Sequence, residues 1–269
     1  MNVTVARSSG FCRGVQNAVD TAMSVPPQNT YLLGELIHNP EVTKQVSERG
    51  IKTVADVSEV PDGATLILRS HGVGKSVYAE CKARGIKVLD CTCPFVRHIQ
   101  KIAEEQSAKG KTIVVIGEKQ HPEVAGVCGW CSGESVVIDS EDEAAILPLQ
   151  DKNIAVVAQT TCSDEKFEKI IKNIVKSCKK TVEIFKTICY TTKERQREAA
   201  ELAGKCDAMI VIGGANSSNT NKLYEICKSR CAQVIRLTNP DELEAQKIKN
   251  LKNVGIVSGA STPHTQTQE

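Results

Sequence analysis

The segment that most clearly indicates how this chain folds reads Lys87-Val88-Leu89-Asp90-Cys91-Thr92-Cys93-Pro94-Phe95-Val96. An apolar run breaks at two cysteines and continues into residues 97–108, whose apolar side chains follow a helical period. The pattern predicts a strand, a short turn that carries a thiol, and a helix. Backbone N–H groups at a helix start favour a thiolate, so a cysteine in this turn is placed to ligate a metal or to act as a nucleophile.

The same arrangement occurs twice more in the chain. Residues 3–6 form a strand pattern that leads through a loop to Cys12 and then to a helical stretch, and residues 182–188 lead in the same way to Cys189. In the first segment, Cys91 and Cys93 compete for the role, because alternation along a strand puts both on one face. Cys93 lies nearer the loop, and the other segments supply one cysteine each. The sequence therefore favours Cys93.

Composition limits the classes of protein to consider. The chain has 269 residues, 41% of them hydrophobic and 25% charged, which is ordinary for a globular protein. The formal net charge is +2, and the lysines and arginines are spread along the chain rather than clustered. Binding to nucleic acid is therefore not expected.

The chemical state expected for the twelve cysteines depends on the cellular compartment. Met1 is followed directly by a strand pattern, and no apolar run approaches the roughly 20 residues that cross a bilayer. We therefore expect a cytoplasmic protein with no membrane association. In a reducing compartment cysteines are free, metal-bound or catalytic rather than paired in disulfides.

Short β-branched runs alternate with amphipathic stretches of helical period, which is typical of a parallel sheet covered by helices. Twelve such runs occur in three groups of four. The groups are residues 31–34, 51–54, 65–68 and 87–90; residues 112–116, 135–138, 154–158 and 182–188; and residues 209–212, 233–237 and 254–257 together with residues 3–6.

The three groups correspond strand by strand. In each, the second strand is followed by an acidic segment with a proline, and the fourth strand ends at one of the three cysteines. Such repetition usually indicates quasi-symmetry. We therefore predict an α/β protein of three quasi-equivalent units with mostly parallel four-stranded sheets: residues 13–93, 94–189 and 190–269, the last completed by the N-terminal strand in residues 1–12. Ligands sit beyond the carboxyl ends of parallel strands, so the units should surround a shared central site.

The loops after the first and third strands of each group suit an anionic phosphate. Glycine, hydroxyl, amide and imidazole groups ahead of a helix add donors to the N–H groups of the helix end. Three of the five histidines, His38, His71 and His121, lie in these loops. The six loops begin Gly34-Glu35-Leu36-Ile37-His38, Arg69-Ser70-His71, Gly117-Glu118-Lys119-Gln120-His121, Gln159-Thr160-Thr161, Gly213-Gly214-Ala215-Asn216-Ser217-Ser218-Asn219 and Ser258-Gly259-Ala260-Ser261.

A structural role must be weighed for each of these residues. A single histidine at a strand end is more often structural than functional, and a serine or asparagine there is often a helix cap. A functional role is favoured because the histidines recur in a repeat whose fourth strands all end in cysteine. His98, inside a helix, and His264, in a polar tail, are expected to be surface residues.

Three other motifs carry weaker signals. Gly72-Val73-Gly74-Lys75-Ser76 looks like the end of a phosphate-binding P-loop, but the opening glycine of that motif would fall on Arg69. Cys128-Gly129-Trp130-Cys131 has zinc or thiol-redox spacing without a second pair or a nearby histidine at the right distance. Five further cysteines are expected to be small buried apolar residues: Cys81, Cys178, Cys206, Cys227 and Cys231.

A series of separated motifs resembles the iron–sulfur enzymes of the 4-hydroxy-3-methylbut-2-enyl diphosphate reductase family, also called IspH or LytB. The resemblance covers nearly the whole chain, and so many motifs in one order are highly specific. The motifs are Gly10-Phe11-Cys12-Arg13-Gly14-Val15, Ile37-His38-Asn39-Pro40, Ser70-His71-Gly72-Val73, Thr92-Cys93-Pro94, His121-Pro122-Glu123-Val124, Gln159-Thr160-Thr161, Ile188-Cys189-Tyr190, Asn216-Ser217-Ser218-Asn219 and Gly259-Ala260-Ser261.

The resemblance implies a cofactor, a substrate site and a catalytic group. Cys12, Cys93 and Cys189 would hold one central [4Fe–4S] cluster per subunit, with one iron that lacks a protein ligand. Glu123, Thr160 and His121 would form the catalytic group near the substrate hydroxyl. The substrate diphosphate would be bound by His38, His71, His121, Ser217, Ser218, Asn219 and Ser261.

The reaction implied by the resemblance is reductive dehydroxylation of (E)-4-hydroxy-3-methylbut-2-enyl diphosphate to isopentenyl diphosphate and dimethylallyl diphosphate, the last step of the methylerythritol phosphate (non-mevalonate) route of isoprenoid biosynthesis. An open iron can act as a Lewis acid, and a cluster passes electrons one at a time. Glu123 would be the general acid, directly or through Thr160. The sequence has no nucleotide fingerprint, so the expected electron donor is a separate carrier such as ferredoxin or flavodoxin.

An alternative of another class remains open at this point. Three α/β units could surround a phosphate ligand without catalysis, with the cysteines holding structural zinc; an iron–sulfur protein is brown, whereas a zinc protein is colourless. The third group also departs from the other two. Members of the family usually continue with a helix after its third strand, but here residues 262–269 are a polar tail without an apolar residue to bury.

Overall fold

The structure, a computed structural model, describes residues 1–267 apart from the side chain of Ala245. The strands are β1 (Asn2–Val5), β2 (Thr30–Leu33), β3 (Lys52–Val54), β4 (Thr65–Leu68), β5 (Lys87–Asp90), β6 (Thr112–Ile116), β7 (Ser135–Ile138), β8 (Ile154–Ala158), β9 (Val182–Ile184), β10 (Ala208–Ile212), β11 (Gln233–Leu237) and β12 (Asn253–Ser258). The helices are α1 (Arg13–Ser24), α2 (Pro40–Glu48), α3 (Lys75–Ala83), α4 (Pro94–Ala108), α5 (Pro122–Cys128), α6 (Glu141–Ile146), α7 (Asp164–Ser177), α8 (Tyr190–Ala203) and α9 (Ser218–Lys228).

The strands of the described residues form three four-stranded sheets in which every pairing is parallel. The strand orders are β1-β12-β10-β11, β3-β2-β4-β5 and β7-β6-β8-β9. When the first order is read from β11, all three sheets have the same topology. Numbered along the chain within each sheet, the strands lie in the order second, first, third, fourth, and β1 is the fourth strand of its sheet. The α/β class and the three parallel four-stranded sheets are confirmed.

The central strands are mostly apolar because helices cover both faces of a parallel sheet. All five residues of β6 are buried. Val114 and Ile116 belong to one core cluster, and Ile113 and Val115 belong to a second cluster. Burying one such side chain stabilises the fold by roughly 1.5–3 kcal/mol, so these two cores fix the sheet from both sides.

The chain divides into two compact units. The one-sheet unit comprises Met1–Val19, Ile37–Gln45 and the residues from Tyr190 on, and it contains the sheet β1-β12-β10-β11. The two-sheet unit comprises Asp20–Leu36 and Val46–Cys189 and contains the other two sheets. The boundaries 13–93, 94–189 and 190–269 stay a prediction, and residues 268 and 269 lie outside the described residues.

Local chemistry sets the starts of several helices. Pro94 and Pro122 occupy the first positions of α4 and α5, where a missing N–H costs nothing and the fixed φ suits a helix. Ser140 and Ser163 cap α6 and α7, each accepting a backbone N–H from the first turn. None of the helices in residues 1–267 combines the length and the apolar character that crossing a bilayer requires.

The strand predicted over residues 182–188 is shorter in the structure, where β9 ends at Ile184. The Phe185 N–H still donates to the Val156 carbonyl at 2.9 Å. Beyond it, the Thr187 hydroxyl donates to the Ala158 carbonyl at 2.6 Å, and its oxygen accepts the Ala158 N–H at 2.8 Å. A side chain thus replaces the backbone ladder, which the apolar sequence pattern could not indicate.

The polar tail after β12 is more buried than its composition predicts. It forms a short 3₁₀ turn, Thr265–Thr267, in which Gln266 and Thr267 are buried. The Gln266 amide donates to the Glu41 carboxylate at 2.7 Å, and the Thr267 N–H and hydroxyl donate to the His264 carbonyl at 3.1 and 2.8 Å. Hydrogen bonds, rather than contacts between apolar side chains, hold this tail in place.

Candidate active site

The three cysteines predicted as ligands are each held by the same backbone hydrogen bond. The cysteine N–H donates to the carbonyl of the residue two positions past the end of the neighbouring third strand. This repetition supports the predicted equivalence of the three positions. The pairs are Cys12 with Ala260 (3.1 Å), Cys93 with Ser70 (2.9 Å) and Cys189 with Thr160 (3.0 Å).

The choice between Cys91 and Cys93 also has a structural basis. The Cys91 N–H donates to the Leu68 carbonyl at 3.1 Å, which continues the strand ladder, whereas Cys93 is the N-cap residue of α4. Burial raises the pKa of the Cys91 thiol, although a hydrogen bond with Thr21 acts in the opposite direction. A thiol with a raised pKa gives less thiolate and is a poorer metal ligand. The geometry therefore favours Cys93.

Glu123 and Thr160 form a buried pair in the two-sheet unit. The Thr160 N–H donates to Glu123 Oε1 at 2.7 Å, and the Thr160 hydroxyl contacts Oε2 at 2.6 Å. Glu123 lies in the first turn of α5 and is 2% exposed, and Thr160 follows β8. The loops after β6 and β8 are neighbours because their strands are paired, which brings the two side chains together.

Burial raises the pKa of Glu123 to about 7. Hydrogen bonds from the Thr160 hydroxyl and N–H act in the opposite direction, and the charge of Glu118 adds to the rise. Loss of water disfavours the charged carboxylate more than these two donors stabilise it. A carboxyl group with a pKa near neutrality can hold a proton and release it at physiological pH, as a general acid must.

His121 and His71 lie close to this pair. His121 is the N-cap of α5, and its Nδ1 accepts the Glu123 N–H at 3.1 Å. This acceptor role leaves Nε2 as the protonated nitrogen of the neutral ring. The His71 and His121 rings meet edge to face with their centroids 5.4 Å apart. The two histidines predicted in the two-sheet unit are therefore neighbours.

The hydroxyl and amide groups predicted in the one-sheet unit cluster at the start of α9. Ser217 caps the helix by accepting the Thr220 N–H at 3.3 Å, and Ser218 and Asn219 open the helix. Asn219 is 4% exposed, yet neither its Oδ1 nor its Nδ2 has a hydrogen-bond partner among the described residues. A buried amide without partners is costly, which makes Asn219 a candidate to bind polar atoms of a ligand.

His38 and Ser261 meet in the same unit. The Ser261 hydroxyl donates to the His38 carbonyl at 3.2 Å. Gly214 packs against the same carbonyl so closely that a Cβ on it would lie 2.6 Å from the oxygen. A larger residue at position 214 would displace the His38 loop, which explains the glycine at this place.

Sequence reasoning missed several residues that support these loops. Gln159 is buried, its Oε1 accepts the Glu118 N–H at 2.9 Å, and its Nε2 has no partner in the described part of the chain. Gln159 directly precedes Thr160 in the loop after β8. Arg195 and Glu198, on α8, contact the loop before Cys12. Charged residues on a helix usually form a solvated face, so no sequence pattern distinguishes these two from surface residues.

The weaker motifs take ordinary structural roles. Lys75 in the P-loop-like stretch forms an ion pair with Glu104 on a neighbouring helix. Burial raises the pKa of Cys128 and raises that of Cys131 to about 11, and such thiols are poor nucleophiles. His98 and His264 are exposed, as predicted. Cys81, Cys227 and Cys231 are buried as expected, but Cys178 and Cys206 are only partly buried because they pack at the margins of their cores.

The fold and the comparisons with known proteins identify the class of protein as a reductase of the LytB type. The sequence model described as "LytB protein" matches residues 3–269, so the chain belongs to the LytB protein family. Membership in this family implies an iron–sulfur cluster.

Three known proteins illustrate the similarity. A 4-hydroxy-3-methylbut-2-enyl diphosphate reductase of Caldanaerobacter subterraneus subsp. tengcongensis is 39% identical over 275 residues, covering 100% of this chain and 95% of that protein. The E-1-hydroxy-2-methyl-but-2-enyl-4-diphosphate reductase of Plasmodium falciparum superposes with a TM-score of 0.91 at 28% identity, covering 99% of this chain and 85% of the other. A solved (E)-4-hydroxy-3-methyl-but-2-enyl diphosphate reductase, titled the terminal enzyme of the non-mevalonate pathway, has a TM-score of 0.72 at 34% identity, with 100% and 97% covered.

The residues present suit an iron–sulfur cluster. Cys12, Cys93 and Cys189 form no disulfide, and each is partly exposed and lies at the corresponding strand end of its sheet. Thiolates are the usual ligands of such clusters. The alternative of a non-catalytic module with structural zinc finds no support in the relatives, which are named as reductases.

Proposed function

We propose that the chain catalyses the reductive dehydroxylation of (E)-4-hydroxy-3-methylbut-2-enyl diphosphate to isopentenyl diphosphate and dimethylallyl diphosphate, the terminal step of the non-mevalonate route to isoprenoids. The observation that carries this proposal is the buried Glu123–Thr160 pair, because removal of a hydroxyl as water needs a proton at the leaving oxygen. Family membership supports the same reaction.

The substrate diphosphate is bound by polar groups of the loops that follow the first and third strands of the sheets. His71 and His121 contribute imidazole donors from the two-sheet unit. The one-sheet unit contributes its groups at a helix start, where N–H groups and the helix dipole favour an anion. The unpartnered amide of Asn219 is satisfied by the ligand. The residues of the one-sheet unit are His38, Ser217, Ser218, Asn219 and Ser261.

The cofactor is one [4Fe–4S] cluster per subunit, held by Cys12, Cys93 and Cys189, and three thiolates leave one iron without a protein ligand. When bound, such a cluster supplies single electrons and a Lewis-acidic iron for the substrate oxygen. The corresponding backbone contacts of the three cysteines support this assignment.

Glu123 holds the proton that the leaving oxygen takes. Its pKa of about 7 keeps a substantial protonated fraction at neutral pH. The 2.6 Å contact between Glu123 Oε2 and the Thr160 hydroxyl provides a path, because the hydroxyl can accept the proton from Oε2 and pass its own proton to the substrate oxygen. His121 positions Glu123 through the bond to its N–H.

Electrons come from a separate carrier, ferredoxin or flavodoxin, because the sequence has no nucleotide-binding fingerprint. The protein acts in the cytoplasm. Each of its three α/β units, residues 13–93, 94–189 and 190–269 with residues 1–12, supplies one ligand cysteine from the end of its fourth strand.

The test is anaerobic turnover by protein of known metal content. Iron, acid-labile sulfide and zinc are measured on anaerobically purified protein, and the same sample is mixed with substrate and an artificial reductant. The proposal predicts iron and sulfide together with both five-carbon diphosphate products. Stoichiometric zinc without sulfide, or a full cluster that leaves substrate intact, would contradict it.

A further inference from the structure

The backbone between strand end and predicted ligand cysteine differs in length among the three sheets. A longer irregular segment has more conformational freedom to lose, so it needs more contacts to hold it in one arrangement. The segment before Cys12, which we call the Cys12 loop, is the longest. The segments are residues 6–11 before Cys12, residues 185–188 before Cys189 and residues 91–92 before Cys93.

The two shorter segments are fixed by side chains of their own strand or loop. Asp90 Oδ1 accepts the Thr92 N–H at 3.0 Å, directly before Cys93. The Thr187 hydroxyl bonds both the carbonyl and the N–H of Ala158. Each of these loops is therefore anchored locally.

The Cys12 loop is anchored from outside by Glu198. One carboxylate oxygen accepts the Arg7 N–H at 2.7 Å, and the other accepts the N–H and the hydroxyl of Ser8 at 2.9 and 2.6 Å. Within the described residues, the hydroxyl of Ser9 has no partner, so it adds no anchor of its own. Three donors of the loop thus converge on one carboxyl group of α8.

Arg195, one turn earlier on α8, holds the other end of the Cys12 loop. Its Nη2 donates to the Gly10 carbonyl at 2.7 Å, and its Nη1 donates to the Ser258 carbonyl at 3.1 Å. The Gly10 N–H donates to the Ser258 hydroxyl at 2.8 Å. Arg195 is 4% exposed, and its planar fork spans two carbonyls that a lysine ammonium could not bond in the same geometry.

The strand before the loop gives little additional support. β1 is the edge strand of its sheet, and all four of its residues are exposed. Few buried apolar contacts therefore fix the chain up to Val5. Regions with few buried apolar contacts open easily. The Cys12 loop depends on polar contacts with α8 for its order.

The charge state of Glu198 suits this role at neutral pH. Burial acts to raise the pKa of Glu198, but the hydrogen bonds from Ser8 and Arg7 outweigh it and hold the pKa below its usual value. Glu198 is therefore ionised at neutral pH, and a carboxylate is the stronger acceptor for backbone N–H groups.

We propose that Arg195 and Glu198 are positioning residues that hold the Cys12 loop in the geometry needed for Cys12 to ligate the cluster, a role that rests on the proposed function. Neither residue needs to touch the cluster or the substrate. Their effect is to keep the thiolate of Cys12 in place, because a ligand on a disordered loop dissociates more often. Loss of either contact should therefore loosen the cluster without unfolding the unit.

The test compares Glu198→Ala with the matched control Glu201→Ala on the cluster-loaded protein. Glu201 lies one turn further on α8 and is exposed, and its carboxylate pairs with Arg197 on the same helix. Hydrogen exchange of the peptide covering residues 1–12 reports the loop, and iron release to a chelator reports the cluster. A hydrogen bond to a charged group slows amide hydrogen exchange by roughly ten- to a hundredfold. The Arg7 and Ser8 amides should therefore exchange faster by that factor in Glu198→Ala.

The expected result is faster exchange at Arg7 and Ser8 and at least about tenfold faster iron release in Glu198→Ala, with both unchanged in Glu201→Ala. Glu198→Gln keeps one acceptor and should lie between Glu198→Ala and wild type, which separates positioning from a loss of folding. Arg195→Lys tests the other contact at similar size.

Two outcomes would overturn the assignment in different ways. Wild-type release rates in both Glu198→Ala and Arg195→Lys, with a full cluster in wild type, reject the positioning role alone. Wild-type protein that contains no iron or sulfide contradicts the proposed function itself. If Glu198→Ala does not fold, the comparison of Glu198→Gln with Glu201→Gln decides, since both changes are nearly isosteric.

Discussion

The carboxyl group of Glu123 is bound through both of its oxygens to Thr160, at 2.7 Å from the backbone nitrogen and 2.6 Å from the hydroxyl. Glu123 is buried, so this pair fixes the orientation of a group that would otherwise seek water. The contact joins the loops after two paired strands and gives the candidate site one proton carrier in a defined place.

Replacing Glu123 with glutamine should remove the proton carrier and keep the shape of the site. Glutamine has the same size and can still accept the Thr160 N–H, but it cannot release a proton. We expect substrate affinity to stay within a few-fold of wild type while turnover falls by about 10²- to 10⁴-fold, the usual contribution of general acid catalysis. The measurement is steady-state turnover with an artificial reductant, which prevents carrier docking from limiting the rate.

The Thr160 side of the pair supplies the control for this prediction. Thr160→Ser keeps the hydroxyl and should retain most of the activity, whereas Thr160→Val removes it and should slow turnover. Turnover of Glu123→Gln within about a factor of two of wild type would mean that another group, such as the substrate diphosphate, delivers the proton.

The rate should depend on pH through Glu123. Its pKa is raised to about 7, so the protonated form that donates dominates below this pH and declines above it. When proton transfer limits the rate, kcat should be level on the acid side of pH 7 and fall about tenfold per pH unit on the alkaline side. Glu123→Gln should lack this slope. A wild-type kcat that is constant from about pH 6 to about pH 9 would exclude Glu123 as the limiting donor.

Single Cys→Ser changes at Cys12, Cys93 and Cys189 should each lower iron and sulfide content and activity together. Each position has the same backbone contact, so none is expected to be dispensable. Cys91→Ser is the matched control, two residues from Cys93, and should keep both cluster and activity. Iron and sulfide analysis after anaerobic purification gives the result. A full cluster in Cys93→Ser with loss in Cys91→Ser would show that the other thiol is the ligand.

His38, His71 and His121 should act mainly on binding. Charge-assisted contacts to phosphate are worth roughly 1.5–3 kcal/mol, so each His→Asn change should weaken substrate affinity about ten- to a hundredfold with the cluster intact. His98→Asn, at an exposed helical position, is the control and should have no effect. Calorimetric titration of the oxidised protein measures the affinity. Unchanged affinity in all three variants would contradict the diphosphate assignment.

Much of the fold could be predicted from the sequence because strand and helix patterns alternate without interruption. The almost entirely apolar runs at Thr112–Ile116 and Ile154–Ala158 are the paired, buried centre of one sheet, as their composition indicates. The equivalence of Cys12, Cys93 and Cys189 was visible in the repeat. The structure adds the shared N–H contact that supports it.

The remaining features depend on contacts between distant residues that periodicity does not encode. β9 is short because the Thr187 hydroxyl takes over the bonds of Ala158. The tail is buried because Gln266 finds Glu41. The link between Glu198 and the Cys12 loop joins residues about 190 positions apart, and a glutamate on a polar helix carries no sign of such a partner.

The most direct test of the proposed reaction is the mass of the products formed in deuterated water. Anaerobic, cluster-loaded protein is mixed with (E)-4-hydroxy-3-methylbut-2-enyl diphosphate and an artificial reductant, and the five-carbon diphosphates are analysed by mass spectrometry. Reductive dehydroxylation uses two electrons and two protons, one leaving with the oxygen as water and one adding to carbon. We predict isopentenyl and dimethylallyl diphosphate that have lost the hydroxyl oxygen and carry one deuterium. Recovery of unchanged substrate, or of a product that retains the oxygen, would contradict the proposal.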